Sequence, residues 1–293
     1  MRLLFPTSFS DACFRTSRAV AQLADICGIH LTIAHVAKPG AATIGTRREL
    51  DSFMAEADHY DHCRRVLIEA ADPVEAIGEL CDHENFDLVL APASDRLGLQ
   101  RLISASTRAR LINRCKAPVW TAGKCLDRSL FKSSIQTIAC LLDFDCPTDN
   151  HLRLASALAW RTGAKLRVVT LVSDADEGTL VNSLYSRAPL MPDVAAAQIR
   201  SAFVGLHCPE VDVAVGDAVT ELPRMLSRCD ADVAFIGPGQ ALGGGWSTRL
   251  APYLDRLPCP AICVDGASAS FEGWSFQAGD SRAVAAHGQA MAS

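Results

Sequence analysis

The chain repeats itself, and that repeat limits its architecture more than any single motif does. Leu3-Leu4-Phe5-Pro6-Thr7-Ser8-Phe9 has the pattern of a short buried strand, and 135 positions later Ile138-Ala139-Cys140-Leu141-Leu142-Asp143-Phe144 reads the same way. Each strand runs into a helical pattern. Ser10 and Asp145 are N-cap residues by type, because a short side-chain oxygen there accepts from the amides that a first helical turn leaves unpaired. Val20, Leu23, Ala24 and Cys27 fall on one helical face, and Gly28 and Gly163 stand where the two helices must stop. A second strand follows in both copies at the same offset of 135, Leu31-Thr32-Ile33-Ala34-His35-Val36 and Leu166-Arg167-Val168-Val169-Thr170-Leu171. A βαβ unit is therefore duplicated without a gap.

The later part of each copy matches at an offset of 145, where Ala71-Asp72-Pro73 opens one helix and Gly216-Asp217-Ala218 the other. These lead to the strands Asp87-Leu88-Val89-Leu90 and Asp232-Val233-Ala234-Phe235-Ile236. The closing strands, Pro118-Val119-Trp120 and Pro260-Ala261-Ile262-Cys263, stand 142 apart, so three residues have been lost from the second copy between these landmarks. Strands alternating with helices at this spacing predict an α/β fold, a parallel sheet with helices on both faces in each copy. Such sheets bind ligands beyond the carboxyl ends of their strands, where the strand order reverses.

A length of 293 residues suits two such domains, and 49% hydrophobic residues against 21% charged supply the side chains for two cores. The boundaries expected are 1–125 and 135–265, followed by a tail over 266–293 rich in Gly, Ala and Ser. Phe271, Trp274 and Phe276 are the residues able to pin the first part of that tail, with mobility expected from about Gly279 onward. A net charge of -5 with scattered Lys and Arg gives no basic footprint, so nucleic acid is not expected as a partner. No run of 18 apolar residues is present, and Pro6 interrupts the apolar start, so the expectation is no membrane span, no signal peptide and a cytoplasmic protein. Twelve cysteines include no Cys-x-x-Cys pair, and most lie inside apolar periodic segments as small buried hydrophobes. His59, His62 and Cys63 make the nearest approach to a ligand cluster, and the plainer reading is a helix end followed by a strand.

These residues resemble the universal stress protein family, and the resemblance runs from Met1 to about Asp265. That family opens each domain with a strand ending in Pro-Thr-Asp or Val-Asp, continues to a strand ending in His-Val, and later has a Gly-Asp-Pro turn before a helix. Here those elements stand as Pro6-Thr7-Ser8, His35-Val36 and Ala71-Asp72-Pro73, and in the second copy as Leu142-Asp143 and Gly216-Asp217. The resemblance implies two tandem flavodoxin-like (adenine nucleotide alpha hydrolase-like) domains, each with a five-stranded parallel sheet. In nucleotide-binding members the first Asp contacts adenine, and a Gly-x2-Gly-x9-Gly-Ser/Thr loop wraps the ribose and phosphates. Glycines there let main-chain N–H groups approach phosphate, and the helix that follows favours negative charge at its N-terminus.

The first copy departs from that pattern. Ser8 stands at the adenine position, and Pro92, Asp95 and Ala105 replace the loop glycines, leaving only Ser106. Pro92 has no N–H to donate, and a carboxylate at Asp95 about 5 Å from a phosphate would cost roughly 3 kcal/mol at an effective dielectric of about 20. The second copy keeps more. The resemblance gives it Asp143 at the adenine position and Leu171 at the end of the second strand. Its glycine-rich segment Gly237-Pro238-Gly239-Gln240-Ala241-Leu242-Gly243-Gly244-Gly245-Trp246-Ser247-Thr248 contributes Gly237, Gly239, Gly243, Ser247 and Thr248. Ser247 replaces the last loop glycine, and the three missing residues lie inside this loop. Two readings of it therefore stand side by side, a nucleotide or nucleotide-fragment cradle and a plain shortened connection.

For function, the resemblance implies a non-enzymatic regulatory binding module in stress response, taking ATP or AMP in the second copy only and using its surface for protein partners of unknown identity. A structural or interaction protein with vestigial pockets is the alternative. An enzyme that hydrolyses nucleotide would need a Walker A loop with its Lys, a Ser-Gly-Gly-x-Asp-Ser loop or a His-x-Gly-His element, and the sequence contains none of them. Asp143, Asp145 and Asp149 could hold a metal, yet capping and adenine contact account for them equally. Single-domain members of the family pair through the last strand. The two copies here are therefore expected to pack about a pseudo-twofold axis with 118–122 and 260–264 at the interface, a homodimer of the whole chain remaining open.

Overall fold

The computed structural model describes residues 1–27, 29–59, 62–92, 100–121, 135–142, 149–172, 210–216, 218–237, 254 and 256–264. Asp95, Asp143, Asp145, Gly239, Gly243, Ser247, Thr248 and the tail from 265 lie outside them. The described residues form β1 (Arg2–Thr7), α1 (Asp11–Cys27), β2 (His30–Ala37), α2 (Ile44–Ser52), a 3₁₀ turn (Ala55–His59), β3 (Cys63–Glu69), α3 (Pro73–Glu84), β4 (Leu88–Ala91), α4 (Gln100–Arg114) and β5 (Val119–Thr121). The second half supplies β6 (Thr137–Leu142), α5 (Asp149–Thr162), β7 (Lys165–Val172), β8 (Glu210–Val215), α6 (Ala218–Arg228), β9 (Val233–Ile236) and β10 (Ala261–Cys263). None of these helices is long and apolar enough to cross a membrane.

The helix ends form where the side-chain chemistry allows. Ser10 Oγ accepts from the Cys13 amide at 3.4 Å and caps α1. Asp72 accepts from Val74 N at 2.9 Å and from Glu75 N at 3.5 Å, with Pro73 at the first helical position, where its missing N–H costs nothing. Gly163 takes φ +69° just past α5, a left-handed stop that residues with a Cβ rarely adopt.

Strands run in the order β3-β2-β1-β4-β5-β10-β9-β6-β7-β8. Within each half every pairing is parallel, and the halves join through one antiparallel pair, Thr121 opposite Ala261, Trp120 opposite Ile262 and Val119 opposite Cys263. The two five-stranded sheets therefore continue into one ten-stranded sheet. Each closing strand would otherwise be an edge with unpaired N–H and C=O groups, and the other half covers it.

The halves share their anchoring bonds as well as their strand order. Asp87 Oδ2 accepts from Arg2 N at 2.6 Å, and Asp232 Oδ2 accepts from Gln136 N at 2.8 Å and Thr137 N at 3.0 Å. Val89 N donates to Pro118 O and Ala234 N to Pro260 O, both at 2.9 Å. A buried carboxylate thus pins the start of the central strand in each half, where a parallel sheet would leave those amides without a ladder partner.

Side chains alternate across the sheet into two apolar layers. Leu3, Phe5, Leu31, Ile33, Trp120, Ile138, Cys140, Phe235 and Ile262 face one side, against residues of α1 and α5 and the segment Leu50–Ala57. Leu4, Val89, Val119, Ala139, Leu141, Leu171, Ile236 and Cys263 face the other, against α3, α4, α6, Leu254 and Leu257. The cysteines whose side chains are described lie in these layers or, for Cys63, pack against one, and burial pushes the Cys140 and Cys263 thiols well above their ordinary range, as for inert apolar groups. His62 sits in the turn before β3 and stacks on His30 of the neighbouring strand, ring centroids 4.2 Å apart and planes 10° apart.

Candidate functional site

Strand order fixes where a ligand crevice can open. In each half the central strand lies between its successor in sequence and a strand reached by a crossover: β1 between β2 and β4, β6 between β7 and β9. The carboxyl ends of β1 and β6 are therefore the two switch points.

Both switch points are braced in the same way. Thr7 is opposite His35 and Leu142 is opposite Thr170, the last pair of each ladder among the described residues. His35 Nδ1 lies 2.8 Å from Thr7 O, and because a carbonyl can only accept, that nitrogen carries the hydrogen. Thr170 Oγ1 donates to Leu142 O at 2.8 Å. The side chain at the end of the second strand thus holds the last carbonyl of the central strand in both halves. Thr170 is fully buried, so Thr170→Val is expected to lower stability in urea melts by about 1 kcal/mol, the usual worth of one hydrogen bond.

Beyond the brace the halves diverge. In the first half Phe9 takes φ +58°, donates its N–H to Thr7 Oγ1 at 3.1 Å and lays its ring on His35, centroids 4.3 Å apart at 24°. Phe53 meets Phe9 edge-on at 5.8 Å, and Phe14 tilts against Phe53 at 4.9 Å. A left-handed backbone costs a residue with a Cβ about 1–2 kcal/mol, which the aromatic contacts offset. Ser8 Oγ lies 3.3 Å from Ser10 Oγ and 3.6 Å from Cys13 Sγ, and Ser8 N donates to that sulfur at 3.4 Å. The residues after β1 thus make aromatic and polar contacts with one another and with His35. Ser106 falls well inside α4, six residues after Gln100, so it does not stand at a helix start as the resemblance implied.

In the second half β6 ends at Leu142, and Asp143, the next residue, lies outside the described residues together with Gly239, Gly243, Ser247 and Thr248. Leu171 follows Thr170, the last residue of β7 paired with a described residue of β6. Its side chain is buried in the apolar layer beside Leu141 and Ile236, so only its main chain could meet a ligand. Gly237 follows β9 and is buried against His151, on the first turn of α5. A Cβ on Gly237 would lie 2.7 Å from His151 Nδ1 and 2.8 Å from its Cε1, closer than carbon can approach either atom. His151 is 2% exposed and its Nε2 lies 2.8 Å from Leu141 O. The imidazole thus lies between the end of β6 and Gly237, the residue that follows β9.

His151 belongs to no motif visible in the sequence. The matching position of the first half is Thr16, whose Oγ1 returns to Ala12 O at 2.7 Å within its own helix. A large polar ring replacing a small self-satisfied hydroxyl was the one available signal. Among the described residues no group of three His, Cys, Asp or Glu side chains converges as a metal site would.

Residues 1–122 match the model of the universal stress protein family. Among curated proteins nothing matches the chain. Similar solved structures include a protein of Pseudomonas aeruginosa UCBPP-PA14 named for the universal stress proteins, with a TM-score of 0.62 at 14% identity over 90% of this chain and 92% of that one. A functionally unknown protein of Pseudomonas aeruginosa PAO1 gives 0.61 at 14% identity, with the same coverage of 90% and 92%. A universal stress protein of Archaeoglobus fulgidus gives 0.58 at 16% identity over 90% and 98%. At these identities the likeness is one of fold, and it spans both halves.

Proposed function

We propose that this chain, whose residues 1–122 match the universal stress protein family, is a regulatory binding module that takes an adenine nucleotide in its second half alone and carries out no chemistry on it. In this reading it is a cytoplasmic protein of two domains, 1–125 and 135–265, followed by a tail. ATP or AMP occupies the crevice at the end of β6, with Asp143 toward the adenine, the main chain of Leu171, Gly237, Gly239 and Gly243 along the ligand, and Ser247 and Thr248 toward phosphate. Protein partners would read the occupied or empty state from the surface.

The observation that carries the proposal is the asymmetry of the switch points. At the end of β1, next to Ser8 at the family's adenine position, Phe9 lies on His35 and Ser8 engages Ser10 and Cys13. No such stack is available to the second half, where Thr170 replaces His35 and Phe144 follows Asp143 in place of the Ser8-Phe9 pair. The resemblance also leaves the second half a carboxylate and glycines where the first half has Ser8, Pro92 and Asp95. With no lysine-bearing phosphate loop in the sequence, binding without turnover is the consistent reading.

Titration calorimetry with ATP tests it directly. One equivalent per chain is expected, and two equivalents of equal affinity would overturn the asymmetry. If no heat is seen with ATP, AMP or ADP, the shortened loop has eliminated the site, and a protein-interaction role replaces nucleotide binding.

A further inference from the structure

The two halves place different residues at one matched pair of core positions. Where the second half has Leu226 on α6 and Leu257 before β10, the first half has Cys81 on α3 and Cys115 at the end of α4. All four side chains are buried in the same apolar layer, at 1%, 4%, 6% and 2% exposure. The two leucines can only pack. The two cysteines also touch, Sγ to Sγ at 3.8 Å across 34 residues of chain.

Ion pairs bridge the same contact beside those sulfurs. Gly78, one turn before Cys81, has no Cβ, and one built there would lie 2.6 Å from Arg114 Nε, so the absence of a side chain lets Arg114 cross α3. Arg114 then bonds Glu75 Oε2 and Asp82 Oδ2, each at 2.9 Å, while Lys116 reaches Asp82 at 3.1 Å. These ion pairs tie α3 to both residues flanking Cys115. The second half has Pro223, Thr220 and Ser227 at the positions of Gly78, Glu75 and Asp82, so the clamp occurs only where the cysteines do.

We propose that Cys81 and Cys115 are a redox modification site, oxidised to a disulfide by a small neutral hydroperoxide. One thiol, as its thiolate, attacks the peroxide oxygen, giving a sulfenic acid and, for hydrogen peroxide, one water. The second thiol then attacks that sulfur and expels the hydroxyl group as a second water. Two thiols and one peroxide thus become one disulfide and two waters, with two electrons passing from sulfur to oxygen. The sulfurs need only close from 3.8 Å to about 2 Å. The contact with Cys115, and burial after it, hold the Cys81 thiol protonated, so the reaction proceeds through brief openings of the α3–α4 contact and is slower than at an exposed thiol. The product bond closes the loop that carries β4 and α4, and it stabilises the first half by restricting its unfolded chain.

The full chain, fully reduced, is treated with hydrogen peroxide, denatured, alkylated and mapped by mass spectrometry without reductant. The expected result is one cross-linked species joining the Cys81 and Cys115 peptides, together with a rise in the thermal midpoint that dithiothreitol reverses. C81L/C115L, which copies the second half, and C81A/C115A should both lose that rise. Recovery of Cys81 and Cys115 singly alkylated after oxidation, cross-linking of either to another cysteine, or a reversible rise that persists in a folded double variant would each overturn the assignment.

Discussion

Replacing Gly237 by alanine is expected to destabilise the protein by about 1–3 kcal/mol, the usual cost of forcing a methyl group into a filled interior. The added Cβ would stand 2.7 Å from His151 Nδ1, and the ring cannot swing aside without giving up the 2.8 Å contact of Nε2 with Leu141 O. Burial closes the other exits, since His151 is 2% exposed and Leu141 7%. Urea melts of four proteins would measure this: the parent, Gly237→Ala, His151→Ala and the double variant. His151→Ala removes the obstructing ring, so Gly237→Ala should cost markedly less in that background, a coupling characteristic of residues in direct contact. Equal costs in both backgrounds would show that the glycine is needed for its backbone conformation or for some other neighbour.

That experiment also separates two reasons for a glycine at one position. From sequence, Gly237 is the first residue of a glycine-rich loop, and glycine there reads as backbone access to phosphate. The structure adds a packing reason that no reading of the loop could supply, because His151 lies 86 positions earlier. Elements with a counterpart at fixed offset were legible in this way: β1 with β6, β2 with β7, β4 with β9 and β5 with β10 all have the apolar runs of buried strands. The edge strands β3 and β8 do not stand out in the sequence, because Arg64, Arg65 and Asp212 break their apolar patterns and their residues are only half buried. Partial exposure relaxes the pattern that makes a strand visible in sequence. The meeting of β5 and β10 could be anticipated from what an unpaired edge requires, but its register could not, since each strand is three residues long.

The site followed the same division. Ser8 and Pro92 could be identified as departures from the family's motif by counting along the chain. The Phe9–His35 stack could not, because it depends on a left-handed turn at Phe9 and on a ring 26 residues away on the next strand. Yet this contact most clearly distinguishes the two halves: both brace the last carbonyl of the central strand, but only one does so with a ring on which a neighbouring aromatic can lie.

Asp143→Ala is expected to reduce adenine nucleotide affinity by about ten- to a hundredfold, since a hydrogen bond to a charged group is worth about 1.5–3 kcal/mol and each tenfold step about 1.4. Leu142 is the last residue of β6, and its carbonyl is fixed by Thr170 Oγ1 at 2.8 Å, so the chain leaves the strand from a rigid point at the centre of the switch. A carboxylate set there can accept from an adenine amino group, and it gains most from doing so where protein walls exclude water. Ser8→Ala is the matched control, because Ser8 already spends its hydroxyl on Ser10 and Cys13 beside the Phe9–His35 stack. Its affinity and stoichiometry should equal the parent's. Asp143→Asn distinguishes charge from shape: an amide can still present an oxygen to the adenine amino group but brings no charge, so its affinity should fall between those of the parent and the alanine variant. Parent-like ATP binding by Asp143→Ala would remove the carboxylate from the site, and a loss of binding in Ser8→Ala would move the site to the end of β1.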